Sequence, residues 1–178
     1  RWLQPIIDGD VRSSFAMTEP APGGGSDPGM IQTTATRKNG RWVINGRKWY
    51  ITGAGEAEHF ILIAKTSGDA RNGLTAFLFH RDDPGWRIER RIGIMGPEEH
   101  GGHCELTFDG LTLDDDRILM GEGQGLKVTQ IRLGLARLTH CMRWLGLARR
   151  AVVIAADYAA NRQGFGIKLA DRESIQIK

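Results

Sequence analysis

The feature that most constrains this fold is segment 126–161, which contains no proline and only two glycines. Apolar residues recur along it at spacings of mostly three, four or seven, which predicts one stripe on a long α-helix: Ile131, Leu135, Leu138, Met142, Leu145, Val152, Ala156 and Ala159. Such a helix would be about 54 Å long. A β-domain built from the preceding residues would be only about 35–40 Å across. We therefore expect helices from the rest of a longer protein, or from another subunit, to cover the stripe, and we expect this chain to be a fragment.

The region 1–125 has a different pattern, in which glycines and turn signals separate short segments rich in β-branched and aromatic residues. Asn39-Gly40 and Asn45-Gly46 predict two turns in a three-strand meander, and Asp109-Gly110 predicts another turn. The runs 59–66 and 73–80 are nearly continuous in apolar residues, which is typical of strands buried on both faces. The seven or eight predicted strands indicate an antiparallel β-sandwich or barrel followed by the long helix. They span 12–18, 31–38, 41–44, 47–52, 59–66, 73–80, 86–93 and 104–113.

Composition excludes several classes of protein. With 40% hydrophobic and 25% charged residues the chain is typical of a globular protein, and no apolar run approaches the roughly 18 residues of a membrane span. The net charge is +3, but the basic residues are spread out rather than gathered in the stripe expected of a nucleic-acid binder. That excess does suit a phosphate-bearing small molecule. Cys104 and Cys141 are too few for a disulfide scaffold, so we expect reduced thiols in a cytoplasmic protein.

Three stretches carry candidate chemistry. Segment 15–20 leads into the glycine-rich 23–27, whose backbone N–H groups suit an anion or a polarised ring edge, although a plain turn has the same composition. Trp49 and Tyr50 are adjacent on a predicted strand, so one would enter the core and the other could line a ligand surface, unless both simply pack. His100 and His103-Cys104 have metal-like spacing, but zinc needs three or four protein ligands, and we expect ordinary strand residues and no metal site.

Six motifs, taken in order, resemble the acyl-CoA dehydrogenases. They are Phe-Ala-Met-Thr-Glu-Pro with Gly-Ser-Asp (15–27), Ile-Asn-Gly-Arg-Lys-Trp-Tyr-Ile-Thr (44–52), Thr-Ala-Phe-Leu with Asp-Pro-Gly (75–85), Leu-Thr-Phe-Asp-Gly-Leu-Thr-Leu (106–113), Leu-Met-Gly-Glu-Gly-Gln-Gly-Leu (119–126) and Arg-Gln-Gly-Phe-Gly (162–166). The stretches Gly-His-Cys-Glu-Leu-Thr-Phe (102–108) and His-Cys-Met-Arg (140–143) look most like the branch of family members ten and eleven.

The resemblance implies a middle β-domain over 1–122 and the first part of a C-terminal four-helix domain over 123–178. It also implies FAD, an acyl-CoA substrate, an electron-transfer flavoprotein as electron acceptor, and a homo-oligomer, either a dimer or a tetramer. In the implied reaction a glutamate removes the α-proton of the thioester while the β-hydride passes to flavin N5, which yields the 2,3-enoyl-CoA.

The resemblance also implies flavin contacts in two stretches of the β-domain, namely Phe15, Met17 and Thr18, and Tyr50, Ile51 and Thr52. Met17 and Thr18 match the strand end that binds the flavin pyrimidine edge. Tyr50 stands where most members have a tryptophan beside the isoalloxazine, and Thr52 matches the residue that hydrogen-bonds near N5.

The remaining implied contacts lie in a loop and in the C-terminal part. Ser26 and Arg137 match residues that touch the CoA part of the substrate. Arg162 matches the arginine that reaches the FAD pyrophosphate of a neighbouring subunit, a task that suits a permanently charged, bidentate guanidinium. Phe165 would pack against the same cofactor.

The chain departs from the family pattern near both substrate residues. The loop 21–25 is two residues longer than usual, next to Ser26, and Ala136 stands before Arg137 where a minority of members carry the catalytic glutamate. We expect the base beyond Lys178, and we therefore expect the 178-residue chain alone to be inactive. Two alternatives remain: an acyl-CoA oxidase or flavin monooxygenase on the same scaffold, and a non-catalytic β binding module.

Overall fold

A computed structural model describes residues 2–69, 72–97 and 100–177 of the chain. The chain divides into two compact units, the first ending at Gln130 and the second beginning at Ile131. Each unit is described by itself below.

The first unit is built around one seven-stranded sheet. It contains α1 (Leu3–Asp8), β1 (Ser13–Ala16), β2 (Thr34–Lys38), β3 (Arg41–Thr52), β4 (His59–Lys65), β5 (Leu74–His80), β6 (Trp86–Ile92), β7 (His103–Leu113), the 3-10 turns Pro28–Met30 and Asp115–Arg117, and the beginning of α2 (Gly125–Asn161). The strand order is β1-β4-β2-β3-β7-β6, and β5 pairs with β4. The sheet forms a half-barrel, so the predicted mainly-β fold is confirmed. It is antiparallel only in part, because β1 and β2 each pair with β4 in parallel.

Strand β3 corrects the predicted meander. Asn45-Gly46 is not a turn, because β3 runs without a break from Arg41 to Thr52 and shifts register against β7 at this point. Gly46 has φ 148°, and a Cβ there would lie 2.5 Å from Thr33 Oγ1. The Asn45 side-chain oxygen accepts a 2.9 Å bond from the N–H of Gly110, which belongs to the other mispredicted turn. Turn-type residues thus mark a β-bulge shared by two long strands.

Strands β4 and β5 are buried on both faces, as predicted. Phe60, Leu62 and Phe79 lie in a core cluster rich in aromatic rings, whereas Ile63 and Ala76 point to a second, smaller cluster. Because alternate side chains of a strand face opposite sides of the sheet, two cores need a continuous apolar run rather than an alternating one.

The second unit consists of most of α2, the hairpin β8 (Gln163–Gly164) and β9 (Ile167–Lys168), the 3-10 turn Leu169–Asp171 and α3 (Glu173–Gln176). The predicted long helix is confirmed, with 37 residues and a length of about 55 Å. Its apolar stripe is exposed; Leu135 and Leu145, for example, are 69% and 72% exposed. Within the described ranges, no helix is both long enough and apolar enough to cross a membrane.

Candidate functional site

The candidate site is organised by hydrogen bonds that join β1, and the residues just after it, to the last residues of β3. The Thr18 carbonyl accepts from the Trp49 N–H at 2.9 Å, and the Thr18 hydroxyl donates to the Trp49 carbonyl at 2.6 Å. Four residues earlier, the Ser14 hydroxyl donates to the Thr52 carbonyl at 2.8 Å. These contacts hold residues 49–52 at both ends. The structure therefore brings together the two stretches that the resemblance assigned to the flavin.

Tyr50 lies between these fastenings in a strained backbone conformation. Its φ is 52°, in the left-handed region that large side chains rarely occupy. A second register shift against β7 falls between Lys48 and Ile51, and this bulge breaks the alternation of side chains. As a result Tyr50 is 49% exposed, and Trp49, 5.1 Å away by ring centroids, is only half-buried rather than in the core. Strain of this kind at an exposed aromatic residue is typical of ligand sites.

A buried ion pair between Lys48 and Glu19 lies next to residues 49–52. Lys48 is fully buried, and its ammonium donates to Glu19 Oε1 at 2.7 Å and to the Met17 carbonyl at 2.8 Å. The Glu19 carboxylate also accepts the backbone N–H groups of Gln32 and Thr33, at 2.6 and 3.0 Å. Burial lowers the pKa of Lys48 to about 8, although the Glu19 carboxylate acts against the shift. Burial raises the pKa of Glu19, but the charge and hydrogen bond of Lys48 and the two N–H donors outweigh it, so the pKa is lowered.

Glu105 lies on β7 opposite the Tyr50 bulge, at the position that has no register partner in β3. Its carboxylate is 3% exposed and accepts from Arg90 Nε at 2.7 Å and from Arg47, while both arginines remain more than half exposed. Burial raises the pKa of Glu105, but the hydrogen bonds and charges of Arg90 and Arg47 outweigh it, so the pKa is lowered.

Thr52, at the end of β3, lies on a cleft of about 490 Å³. The cleft is lined by Thr52, His103, His100 and Arg91, together with residues 92–94, 96–97 and 102. Thr52 Oγ1 lies 2.9 Å from His103 Nδ1, directly across the β3–β7 ladder. A volume of this size is within the usual range for small-molecule sites.

The other predicted residues of the first unit are placed differently. Ile51 is 1% exposed, so only its backbone can touch a ligand, and Phe15 and Met17 pack partly against the second core cluster. Ser26 is exposed in the loop after Thr18 and is not among the residues that line a nearby cleft of about 250 Å³ formed by 19–23, 32–33 and 46–47.

Three predicted residues belong to the second unit. Arg137 is exposed on α2, and Arg162 is exposed one residue after the end of that helix, where its N–H donates to the Tyr158 carbonyl at 2.8 Å. Phe165 occupies the tip of the β8–β9 hairpin with φ 55° and is fully exposed, with the Arg172 guanidinium 5.8 Å from its ring centroid. The sequence predicted the helix end here but not the hairpin.

Residue patterns did not reveal the groups that hold the site in place. The Ser14 hydroxyl, the Lys48–Glu19 pair and His103 act across strands that are far apart in sequence. The metal-like spacing of His103 and Cys104 and the family-like stretch 102–108 both include His103, but neither assigns it a partner. The Cys104 thiol contacts the Gly101 carbonyl at 3.4 Å. In the described ranges, no three His, Cys, Asp or Glu side chains gather as metal ligands.

Comparison with known families accounts for this architecture. Residues 14–111 match the family model of the acyl-CoA dehydrogenase middle domain, and residues 123–178 match that of the acyl-CoA dehydrogenase C-terminal domain. The chain belongs to the acyl-CoA dehydrogenase family.

Individual relatives cover nearly the whole chain. "Probable acyl-CoA dehydrogenase FadE2" of Mycobacterium tuberculosis is 39% identical over 99% of this chain and 44% of its own length. Acyl-CoA dehydrogenase family member 11 of Mus musculus is 35% identical over 98% of this chain and 23% of its own length. The chain thus spans less than half the length of these relatives.

Two solved structures share the fold over 99% of the chain. Butyryl-CoA dehydrogenase from Megasphaera elsdenii aligns with a TM-score of 0.86 and 30% identity, over 46% of its own length. PigA, solved with FAD and proline, aligns with a TM-score of 0.87 and 27% identity, over 45% of its own length.

Proposed function

We propose that this chain contributes the flavin-binding part of an FAD-dependent acyl-CoA dehydrogenase that oxidises an acyl-CoA thioester to the 2,3-enoyl-CoA. Residues 1–122 form its middle domain, and 123–178 form the first part of its C-terminal helical domain. The observation that carries the proposal is the strained, exposed Tyr50 held between the Thr18 and Ser14 hydrogen bonds. Membership of the family supplies the reaction class.

The residues present fit a flavin ring. Tyr50 offers an exposed aromatic face, and Thr52 offers a hydroxyl on a cleft of suitable size. The Thr18 hydroxyl already donates its hydrogen to Trp49, so its oxygen remains as an acceptor, which complements the imide N–H of a flavin pyrimidine edge. Backbone N–H donors at this edge would favour the negative charge of reduced flavin. The chemistry that FAD supplies there is acceptance of a hydride.

The contacts beyond the ring are assigned by resemblance. Arg162 and Phe165 would bind the FAD of a neighbouring subunit in a homo-oligomer, and Arg137 and Ser26 would contact the CoA moiety. An electron-transfer flavoprotein would reoxidise the enzyme. Ala136 has no ionisable group, so it cannot remove the α-proton.

The proposal is tested with the full-length protein that contains this chain. We expect it to purify with the visible spectrum of oxidised flavin, and we expect an acyl-CoA to bleach that spectrum without oxygen while the 2,3-enoyl-CoA accumulates. A non-thioester fatty acid of the same chain length is the matched control and should leave the spectrum unchanged. Absence of flavin, even after reconstitution with FAD, would refute the proposal and leave a non-catalytic β module.

A second candidate is favoured by PigA, because its structure combines the same fold with FAD and proline. The scaffold therefore also carries a flavin together with a ligand that is not a thioester. Rapid reoxidation of the substrate-reduced protein by oxygen would indicate an oxidase or monooxygenase. Slow reoxidation by oxygen, but rapid reoxidation by an electron-transfer flavoprotein, would indicate a dehydrogenase.

A further inference from the structure

His103 and Thr52 form a hydrogen-bonded pair that the family resemblance does not use. They are register partners at the ends of β7 and β3, with Nδ1 and Oγ1 2.9 Å apart. Both side chains line the 490 Å³ cleft, and the Thr52 carbonyl is already fixed by Ser14. The backbone of Thr52 is therefore held, and the direction of its hydroxyl hydrogen is set by its contact with the histidine ring.

The chemistry of this contact has two forms. A neutral imidazole carries one N–H donor and one bare nitrogen acceptor, and the two can exchange places. When Nδ1 is bare, the Thr52 hydroxyl donates to it and presents only lone pairs to the cleft. When Nδ1 carries the hydrogen, the hydroxyl accepts from it and its own hydrogen is free to point into the cleft.

These two forms match the two states of a flavin. Oxidised N5 has a lone pair and needs a donor, whereas reduced N5 carries a hydrogen and needs an acceptor. We infer that His103 is a positioning residue that lets the Thr52 hydroxyl donate to oxidised flavin and accept from reduced flavin. This inference rests on the proposed function.

Other charged or titratable groups also face the cleft and must be kept constant in any test. Arg91 and His100 line it, and His100 Nδ1 lies 3.1 Å from Arg12 Nη1. Neither is changed in the variants below.

The experiment compares His103→Asn, His103→Gln and His103→Leu in the flavin-loaded full-length protein. An asparagine amide can occupy the place of Nδ1, whereas a glutamine amide reaches only to the place of Nε2, so these two variants form a matched pair. The readouts are the dissociation constants of oxidised and reduced FAD and the reduction potential. We expect His103→Leu and His103→Gln to change the ratio of the two constants by about threefold to tenfold, the range for one hydrogen bond. This equals a shift of roughly 15–30 mV for a two-electron couple. His103→Asn should keep the ratio and the reduction potential close to their wild-type values.

Thr52→Val provides the second arm, since valine keeps the β-branched shape without the hydroxyl. In that background His103→Leu should cause no further shift. An unchanged potential in His103→Leu, or an equal shift with and without the Thr52 hydroxyl, would overturn the inference while leaving the proposed function intact. A wild-type protein that binds no flavin would overturn both.

Discussion

Replacing Lys48 with methionine tests whether the ion pair beneath the candidate site is structural. Methionine keeps the length of the side chain but removes the ammonium that bonds Glu19 and the Met17 carbonyl. The Glu19 carboxylate would then remain buried, with only the N–H groups of Gln32 and Thr33 as donors.

The expected loss of stability follows from the surroundings of Glu19. Removing one partner of a buried ion pair costs about 3–5 kcal/mol, because an uncompensated charge remains. The two N–H donors keep Glu19 partly satisfied, so we expect Lys48→Met to lower the free energy of unfolding by about 3 kcal/mol at pH 7. The loss should shrink toward pH 5, because the unpaired carboxyl can take up a proton there.

At high pH the direction in which stability changes is set by the pKa of Lys48, which burial lowers from 10.5 to about 8 in the folded chain. Between these values the unfolded chain binds more protons, so the free energy of unfolding of the wild type rises with pH. This added stability is lost again as the pH falls to 8. Because methionine does not titrate, the gap in unfolding free energy between wild type and Lys48→Met should widen as the pH rises from 7 to 9.

The assay is a urea titration in which hydrogen exchange is followed in peptides covering residues 31–52 of the full-length protein, at pH 5, 7 and 9. Lys38→Met is the matched control, because Lys38 lies exposed at the end of β2 and its loss should change stability by no more than about 0.5 kcal/mol. If Lys48→Met is no less stable than Lys38→Met, or if its deficit is the same at all three pH values, the reasoning is wrong.

Four further predictions concern single positions. Gly46→Ala should destabilise the β unit by several kcal/mol in urea unfolding, because its Cβ would overlap buried backbone, whereas Gly68→Ala, which meets open space, should change stability by no more than about 0.5 kcal/mol. Tyr50→Gly should relieve a positive φ and raise stability by about 1 kcal/mol while weakening FAD binding in calorimetry; unchanged FAD affinity would exclude a ring contact. Glu105→Gln should lower the free energy of unfolding by about 1–2 kcal/mol at pH 7, a small value because its arginine partners are exposed. Since the pKa of Glu105 is lowered in the folded chain, the stability that it contributes is present above the ordinary carboxyl pKa, and wild type and variant should become equally stable below about pH 4. Arg162→Lys should weaken FAD binding by about 10-fold or more. If Arg162→Lys and Arg162→Ala both bind FAD as tightly as wild type does, Arg162 is only a helix-end cation.

Periodicity predicted the elements whose signal is local. The apolar spacing of 126–161 and the continuous apolar runs of β4 and β5 match the observed helix and strands within one residue. Asn45-Gly46 and Asp109-Gly110 misled the prediction, because the same residues that allow turns also allow bulges. Only the partner strand, more than 60 residues away, decides between the two.

The candidate site divides in the same way. Tyr50 and Thr52 could be singled out because they lie in one contiguous motif that matches a family. His103 could not be linked to Thr52, since that contact depends on the β3–β7 register and on a bulge that shifts it. Likewise, nothing in the local sequence around Lys48 shows that its charge is buried against Glu19.

The pairing of β3 with β7 also has a consequence for biosynthesis. Of the two strands that pair with β3, only β2 has been made when β3 emerges from the ribosome, and the edge that pairs with β7 stays open until His103–Leu113 has been made. At about 5–20 residues per second, that interval lasts roughly 3–12 s. During this time Trp42, Ile44 and Ile51, all fully or almost fully buried in the folded sheet, lie on an unpaired strand edge of the kind that promotes aggregation. A nascent chain that stalls before residue 113 therefore carries an open template for pairing with other chains.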